Sequence, residues 1–150
     1  MTALTQDAKL YLVGPLGPKL NFPVAASQTL YGNSIAVTNA SGNLVDPGVG
    51  GTTGKCWGLI ERQTVNGTTA CAVTADVNQG VFAVPFCSTD GFAEADVGAI
   101  AYVWDNITVT KTAGSLIKAG KVVAVAGIGQ GVGLPNGYVA VAFGLQGAAF

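Results

Sequence analysis

Nowhere in this chain do apolar residues recur at the three- and four-residue spacing of a helix face without a glycine or proline breaking the run. With 22 glycines and 6 prolines among 150 residues, no helix longer than about two turns is expected. The chain instead shows short apolar stretches that alternate with a period of two, each bounded by Gly, Asn, Asp or Pro. That pattern belongs to strands, because successive side chains on an extended backbone point to opposite faces. The expected fold is therefore all-β, a small β-barrel or β-sandwich of short antiparallel strands.

Residues 1–23 read differently from the rest. Pro15, Pro18 and Pro23, with Gly14 and Gly17 between them, forbid a helix and interrupt any central strand. The expected organisation is an extended N-terminal arm over 1–23 and a single β domain over 24–150. No secretion signal is read at the start, which lacks a basic segment followed by a long apolar one.

Within the domain, strands are expected at 29–31 and 34–38 around the Gly32-Asn33 turn, followed by 43–45 as a short meander. Residues 55–65 and 68–77 are expected to form a hairpin through Asn66-Gly67, a strong signal for a two-residue turn. A strand over 80–87 places Val81, Ala83 and Pro85 on one face and Phe82, Val84 and Phe86 on the other. Pro85 has no N–H for a ladder, so a free edge or a bulge is expected there. Residues 88–97 read as an acidic loop with one helical turn. The stretches 100–104 and 107–111 form a second hairpin through Asp105-Asn106. The last strands, 121–126 and 138–143, share a Val-Ala-Val-Ala pattern in which neither face carries the polar residues expected at a water-facing surface. Burial against a neighbouring subunit is the simplest expectation for the second face.

Composition narrows the function. The chain has no histidine, and only 10% of its residues are charged against 49% hydrophobic, whereas soluble domains carry roughly a quarter charged. Missing histidine removes the commonest general base, the nucleophile-histidine arrangements and the commonest transition-metal ligand. Seven basic and eight acidic residues are scattered singly, so no stripe exists to neutralise a run of phosphates, and nucleic acid is not an expected partner. No apolar run approaches the roughly 20 residues of a membrane-spanning helix. Cys56, Cys71 and Cys87 fit neither a zinc pattern nor a disulfide framework and read as free thiols of a protein made in a reducing cytoplasm.

The remaining candidate chemistry has bland explanations. Asp90, Glu94 and Asp96 read as a solvated acidic loop, with a weak calcium site as the lesser alternative. The glycines of 127–133 lead into another strand rather than the helix a dinucleotide site requires. Trp57, Tyr102, Trp104 and Tyr138 read as core or interface packing before a stacking platform for sugars or bases. Neither catalytic residues nor a cofactor or metal site is expected.

Six segments together resemble the small capsid cement, or head decoration, proteins of tailed bacteriophages: FPVAASQTLYGNSIAVTNASGNLVDPG, KCWGLIERQTVNG, GVFAVPF, FAEADVGAIAYVWDNITVT, GKVVAVAG and GYVAVAF. The resemblance spans roughly residues 22–144 and departs from the pattern in the glycine loop near Gly129 and the proline-rich first 20 residues. It implies a non-enzymatic virion protein, made in the bacterial host cytoplasm, that binds the capsid exterior and bridges major capsid protein subunits. It also implies a homo-oligomer, a trimer before a dimer. On that reading Leu10, Tyr11, Leu12 and Val13 dock by strand addition to a neighbour, and Tyr138, Val139, Ala140 and Phe143 form subunit or capsid contacts. Truncating residues 1–20 is then expected to weaken capsid binding without unfolding the domain. A tail, neck or fibre component and a carbohydrate-binding β-sandwich are the alternatives.

Overall fold

The structure, a computed structural model, describes residues 4–8, 12–48, 53–125, 134 and 137–143. Eleven strands occupy about half of them: β1 (Leu12–Pro23), β2 (Thr29–Leu30), β3 (Ile35–Thr38), β4 (Leu44–Val45), β5 (Lys55–Ile60), β6 (Thr64–Val65), β7 (Thr74–Pro85), β8 (Ile100–Val103), β9 (Val109–Thr110), β10 (Lys118–Val125) and β11 (Tyr138–Phe143). Among the described residues a 3-10 turn, Glu94–Asp96, interrupts them. The fold is all-β, an antiparallel sheet curled into a half-barrel.

The sheet is organised around β7, which is long enough to serve two sets of neighbours. Asn78 has Lys19 of β1 on one side and Leu59 of β5 on the other, while Phe82 lies between Leu12 of β1 and Val141 of β11. β1 therefore follows one edge of β7, and β5 and β11 divide the opposite edge between them. One branch continues β5-β3-β4, the other β11-β10-β8-β9. Single bridges bring each branch back. Val24, just after β1, meets Leu44 of β4, and Phe86, just after β7, meets Val109 of β9. β2 and β6 form a separate two-stranded sheet.

Two hydrophobic cores follow from this branching. The first packs Phe82 against Phe143, ring centroids 6.3 Å apart, among Ile35, Leu59, Val103 and Val141. The second gathers Val24, Leu30, Leu44, Ile60 and Val77, with Trp57 and Phe22 in ring contact at 5.3 Å. β3 divides its side chains by simple alternation, Ile35 and Val37 to the first core and Ala36 to the second. β5 cannot do so unaided. Its pairing with β3 skips Trp57 between Cys56 and Gly58, and this bulge lets Cys56 and Leu59 share the first core while Trp57 and Ile60 face the second. Gly58 sits at the bulge with φ +153°, where a Cβ would lie 2.2 Å from the carbonyl oxygen of Asn78.

Several expected elements are rearranged. Residues 12–23 are a strand of the sheet in this chain rather than a free arm, and the bulges of β1 between Leu12 and Leu16 and between Leu16 and Lys19 accommodate Pro15 and Pro18. Strand addition at Leu12 and Val13 thus takes place on β7 of the same chain, and deleting 1–20 would strip most of β1, with Leu20, from the second core. Gly32-Asn33 is not a hairpin turn, since β2 pairs with β6 and β3 with β4 and β5. The Asn66-Gly67 hairpin is also absent. β5 and β7 are antiparallel neighbours, but residues 61–73 make an excursion between them, and Asn66 is buried within it rather than exposed at a turn. The Asp105-Asn106 hairpin forms, with β8 and β9 in register from Val103 and Val109. Its turn is longer than two residues, closed by Trp104 N–H donating to the Thr108 carbonyl at 2.9 Å. Pro85 ends β7 opposite Tyr138.

Candidate functional site

The residues singled out as contact candidates divide sharply. Leu10 and Tyr11 lie outside the described residues. Leu12 and Val13 open β1, and Leu12 stands opposite Phe82. Val139, Ala140 and Phe143 are completely buried, while Tyr138 is half-buried. β1 and β11 flank β7, so the two groups are one strand apart in the same sheet. The apolar Val-Ala faces of β11 are covered by the chain itself, which places Val139, Ala140 and Phe143 in its core rather than on a surface a neighbour could reach. β10 is less fully covered, with Lys118 exposed and Val123 37% exposed.

At one end of the molecule the N-terminal segment is tied down by polar contacts. Leu4 N–H donates to Asn106 Oδ1 at 2.7 Å, and Asn106 Nδ2 donates to the Leu4 carbonyl at 3.2 Å and to Asp46 Oδ2 at 3.0 Å. Asp7 accepts the Gly32 N–H at 2.7 Å, and Asn33 Nδ2 donates to the Ala8 carbonyl at 2.8 Å. Asn33 holds φ +63° there, a conformation asparagine tolerates better than most residues. Residues 4–8 thereby bridge the turn before β3, the loop after β4 and the β8–β9 turn. Asn106 and Asn33 are legible in the sequence as turn formers, but their role as anchors for a segment some 25 and 102 residues away leaves no local signal.

The acidic loop is spent on structure. Asp90 Oδ2 accepts from Thr110 Oγ1 at 2.5 Å and from the Thr112 N–H at 2.9 Å. Partial burial pushes its carboxyl up, but these hydrogen bonds and the nearby Lys111 outweigh burial and hold it below its ordinary value. Asp96 accepts the Ala93 N–H at 2.7 Å and faces Lys111 at 3.6 Å, while Glu94 is exposed. The three carboxylates do not converge, and no group of metal-ligating side chains is found among the described residues.

Other polar side chains behave alike. Asp105, 1% exposed, accepts the N–H groups of Ile107 and Thr108 at 2.9 and 2.7 Å, holding its own turn. On the outer surface Lys19 pairs with Glu61 at 2.6 Å, and Asp76, hydrogen-bonded by Asn21 at 2.8 Å, has its carboxyl lowered chiefly by that bond. Burial pushes the Cys56 thiol up to about 12 despite a hydrogen bond from the Gly58 backbone, so it is inert, whereas Cys71 is exposed and Cys87 half-buried. Trp57 donates to Thr38 Oγ1 at 2.8 Å, which fixes the indole within the fold. Among the described residues the exposed large apolar side chains are Val65, Val97 and Val123, and the Gly98 N–H donating to the Val122 carbonyl brings the last two segments side by side. The glycines of 127–133 lie outside the described residues.

No family model, curated protein or solved structure matches this chain.

Proposed function

We propose that this chain is a structural, non-enzymatic protein of a tailed-bacteriophage head that binds the capsid exterior and stabilises it by bridging major capsid protein subunits. The observation that carries the reading is where the resembling segments fall. They supply β2 to β6, the second half of β7, the stretch from the 3-10 turn through β9, and β11, together with most of β10. The likeness is to the framework of the half-barrel and not to one decorated loop. The use of Asp90, Asp105 and Asn106 to hold loops agrees with a protein that acts through surfaces. Many weak contacts repeated over a capsid lattice gain strength from effective concentration, so no single contact must be strong. The homo-oligomer of this proposal rests on the resemblance, because the Val-Ala faces of β11 are already filled within one chain.

The test is co-sedimentation of the purified protein with expanded phage heads that lack it, followed by electron microscopy of the decorated particles. Saturable binding at lattice positions, with heads that resist heating better, is the expected result. Binding to tails instead would replace this function with the tail or fibre reading, and glycan binding lost on Trp104→Ala without head association would replace it with the carbohydrate reading. The informative truncation stops at residue 8, before β1. It removes the anchored segment and leaves the sheet intact, and native mass measurement on the same samples reads the oligomer.

A further inference from the structure

In Asn66 a chemically labile sequence coincides with a demanding structural task. It precedes Gly67, whose missing side chain leaves its backbone nitrogen unhindered for attack on the neighbouring amide, and asparagine is among the thermolabile residues. In the folded chain Asn66 is 5% exposed. Its side-chain nitrogen stands 3.1 Å from the Val24 carbonyl, 3.1 Å from the Ala25 carbonyl and 3.0 Å from the Thr69 carbonyl. Around it the Asn66 N–H donates to the Gln28 carbonyl at 2.9 Å, and the Ser27 N–H donates to the Gly67 carbonyl at 2.6 Å. The site ties the excursion between β5 and β7 to the segment after β1, where Val24 closes one branch of the sheet.

We propose that Asn66 is a spontaneous modification site which the native fold shields, and that its deamidation in the opened chain prevents return to the native state. The Gly67 nitrogen, losing its proton to solvent base, bonds to Asn66 Cγ. The bond from Cγ to the side-chain nitrogen breaks, ammonia leaves, and a succinimide forms. Water then opens the ring to aspartate or isoaspartate, with no oxidant or reductant required. Folded, the leaving nitrogen is held by three carbonyls and the flanking backbone is fixed, so reaction waits on opening. After reaction a carboxylate would face three carbonyl oxygens with no hydrogen to offer them; the Val24 carbonyl would keep the Cys71 N–H and the Thr69 carbonyl the Ala72 N–H, but the charged group in the place of the amide would meet only acceptors in a largely buried site. Isoaspartate would in addition lengthen the backbone at the closure.

The experiment incubates the full chain at mildly alkaline pH, folded or in denaturing guanidinium chloride, and follows the Asn66 peptide by mass. Asn136-Gly137 gives an internal reference in the denatured chain. Because stable domains open to about one part in a thousand or less, deamidation of Asn66 is expected to be about a thousandfold slower in the folded protein. Chains deamidated while denatured should remain non-native after dilution, while unmodified chains refold. Gly67→Ala should fold normally, since a Cβ there meets nothing within 4 Å, and should refold after the same alkaline exposure. Rates within about tenfold of each other in the two states, or deamidated chains that refold to the original melting temperature, would overturn the proposal.

Discussion

At the scale of single residues, backbone crowding and side-chain burial decide more than residue type. Gly58, inside β5, and Gly67, just after β6, predict opposite outcomes. Gly58 has φ +153° and the Asn78 carbonyl oxygen 2.2 Å from where a Cβ would stand. Gly58→Ala must therefore displace β7 from β5, and a loss of about 2–4 kcal/mol is expected in denaturant unfolding, in the range of overpacking combined with backbone strain. Gly67→Ala should stay within about 0.5 kcal/mol of the parent. The cysteines divide in the same way. An aromatic disulfide reagent at pH 8 should modify Cys71 and Cys87 in the native protein and reach Cys56 only on unfolding, because that thiol is both buried and shifted up to about 12. Rapid modification of Cys56 in the native protein would contradict its place in the first core.

At the scale of elements, the acidic loop shows how a carboxylate can fasten one element to another. Asp90 joins the segment after β7 to Thr110 and Thr112 at the end of β9. Its carboxyl is lowered in the folded chain, so the fold binds that proton less well than the unfolded chain does. The stabilisation is present above the unfolded value of about 4 and is lost as pH falls through the lower folded value. Asp90→Asn should cost about 1 kcal/mol at pH 7, given hydrogen bonds to a charged acceptor that is only partly buried. In a molecule of this size that is a melting shift of about 2–4 °C. Melting curves of parent and variant should converge as the pH is taken well below 4, and a gap independent of pH would reject the ionised carboxylate as its source.

Elements also mark the limits of the sequence reading. The alternation of Val81 to Phe86 and the β8–β9 hairpin were legible because the cause of each is local, period-two patterning in one and a turn stabilised by Asp105 in the other. Asn66-Gly67 carries an equally local signal, but the carbonyls of Val24, Ala25 and Thr69 recruit the buried Asn66 amide and outweigh the tight-turn preference. Likewise the prolines that argued for a free arm are accommodated by bulges in an outer strand. The bare faces of β11 are covered within the chain, while β10 leaves Val123 exposed, and an apolar pattern carries no information on whether a neighbour or the same chain covers a face. Val139, Ala140 and Phe143, the candidate contacts of β11, lie buried within one chain. The anchoring of residues 4–8 left no pattern at all, because its partners are distant in sequence and polar.

At the scale of the whole molecule, β7 makes the two cores one structure. Its first half supplies Ala75 and Val77 to the second core, and its second half supplies Phe82 and Val84 to the first. Neither branch can detach without exposing an edge of a strand the other needs, so both should melt together. The two tryptophans allow this to be measured, since Trp57 packs against the second core and Trp104 lies in the turn between β8 and β9 of the other branch. Trp57→Phe and Trp104→Phe each leave one reporter. Removing a fully buried ring by Phe82→Ala, which takes away the partner of Phe143, is expected to cost about 3–5 kcal/mol. Although Phe82 touches the first core, the fluorescence transition of the Trp57 reporter should move to lower denaturant by the same amount as that of Trp104. Coincident transitions before and after the substitution are the signature of a single cooperative unit. If the Trp57 transition stayed in place while the Trp104 transition moved, the branches would be separate folding units joined by a shared strand. The proposed role on a capsid lattice calls for the first behaviour, because a branch that opened alone would release its contacts one at a time.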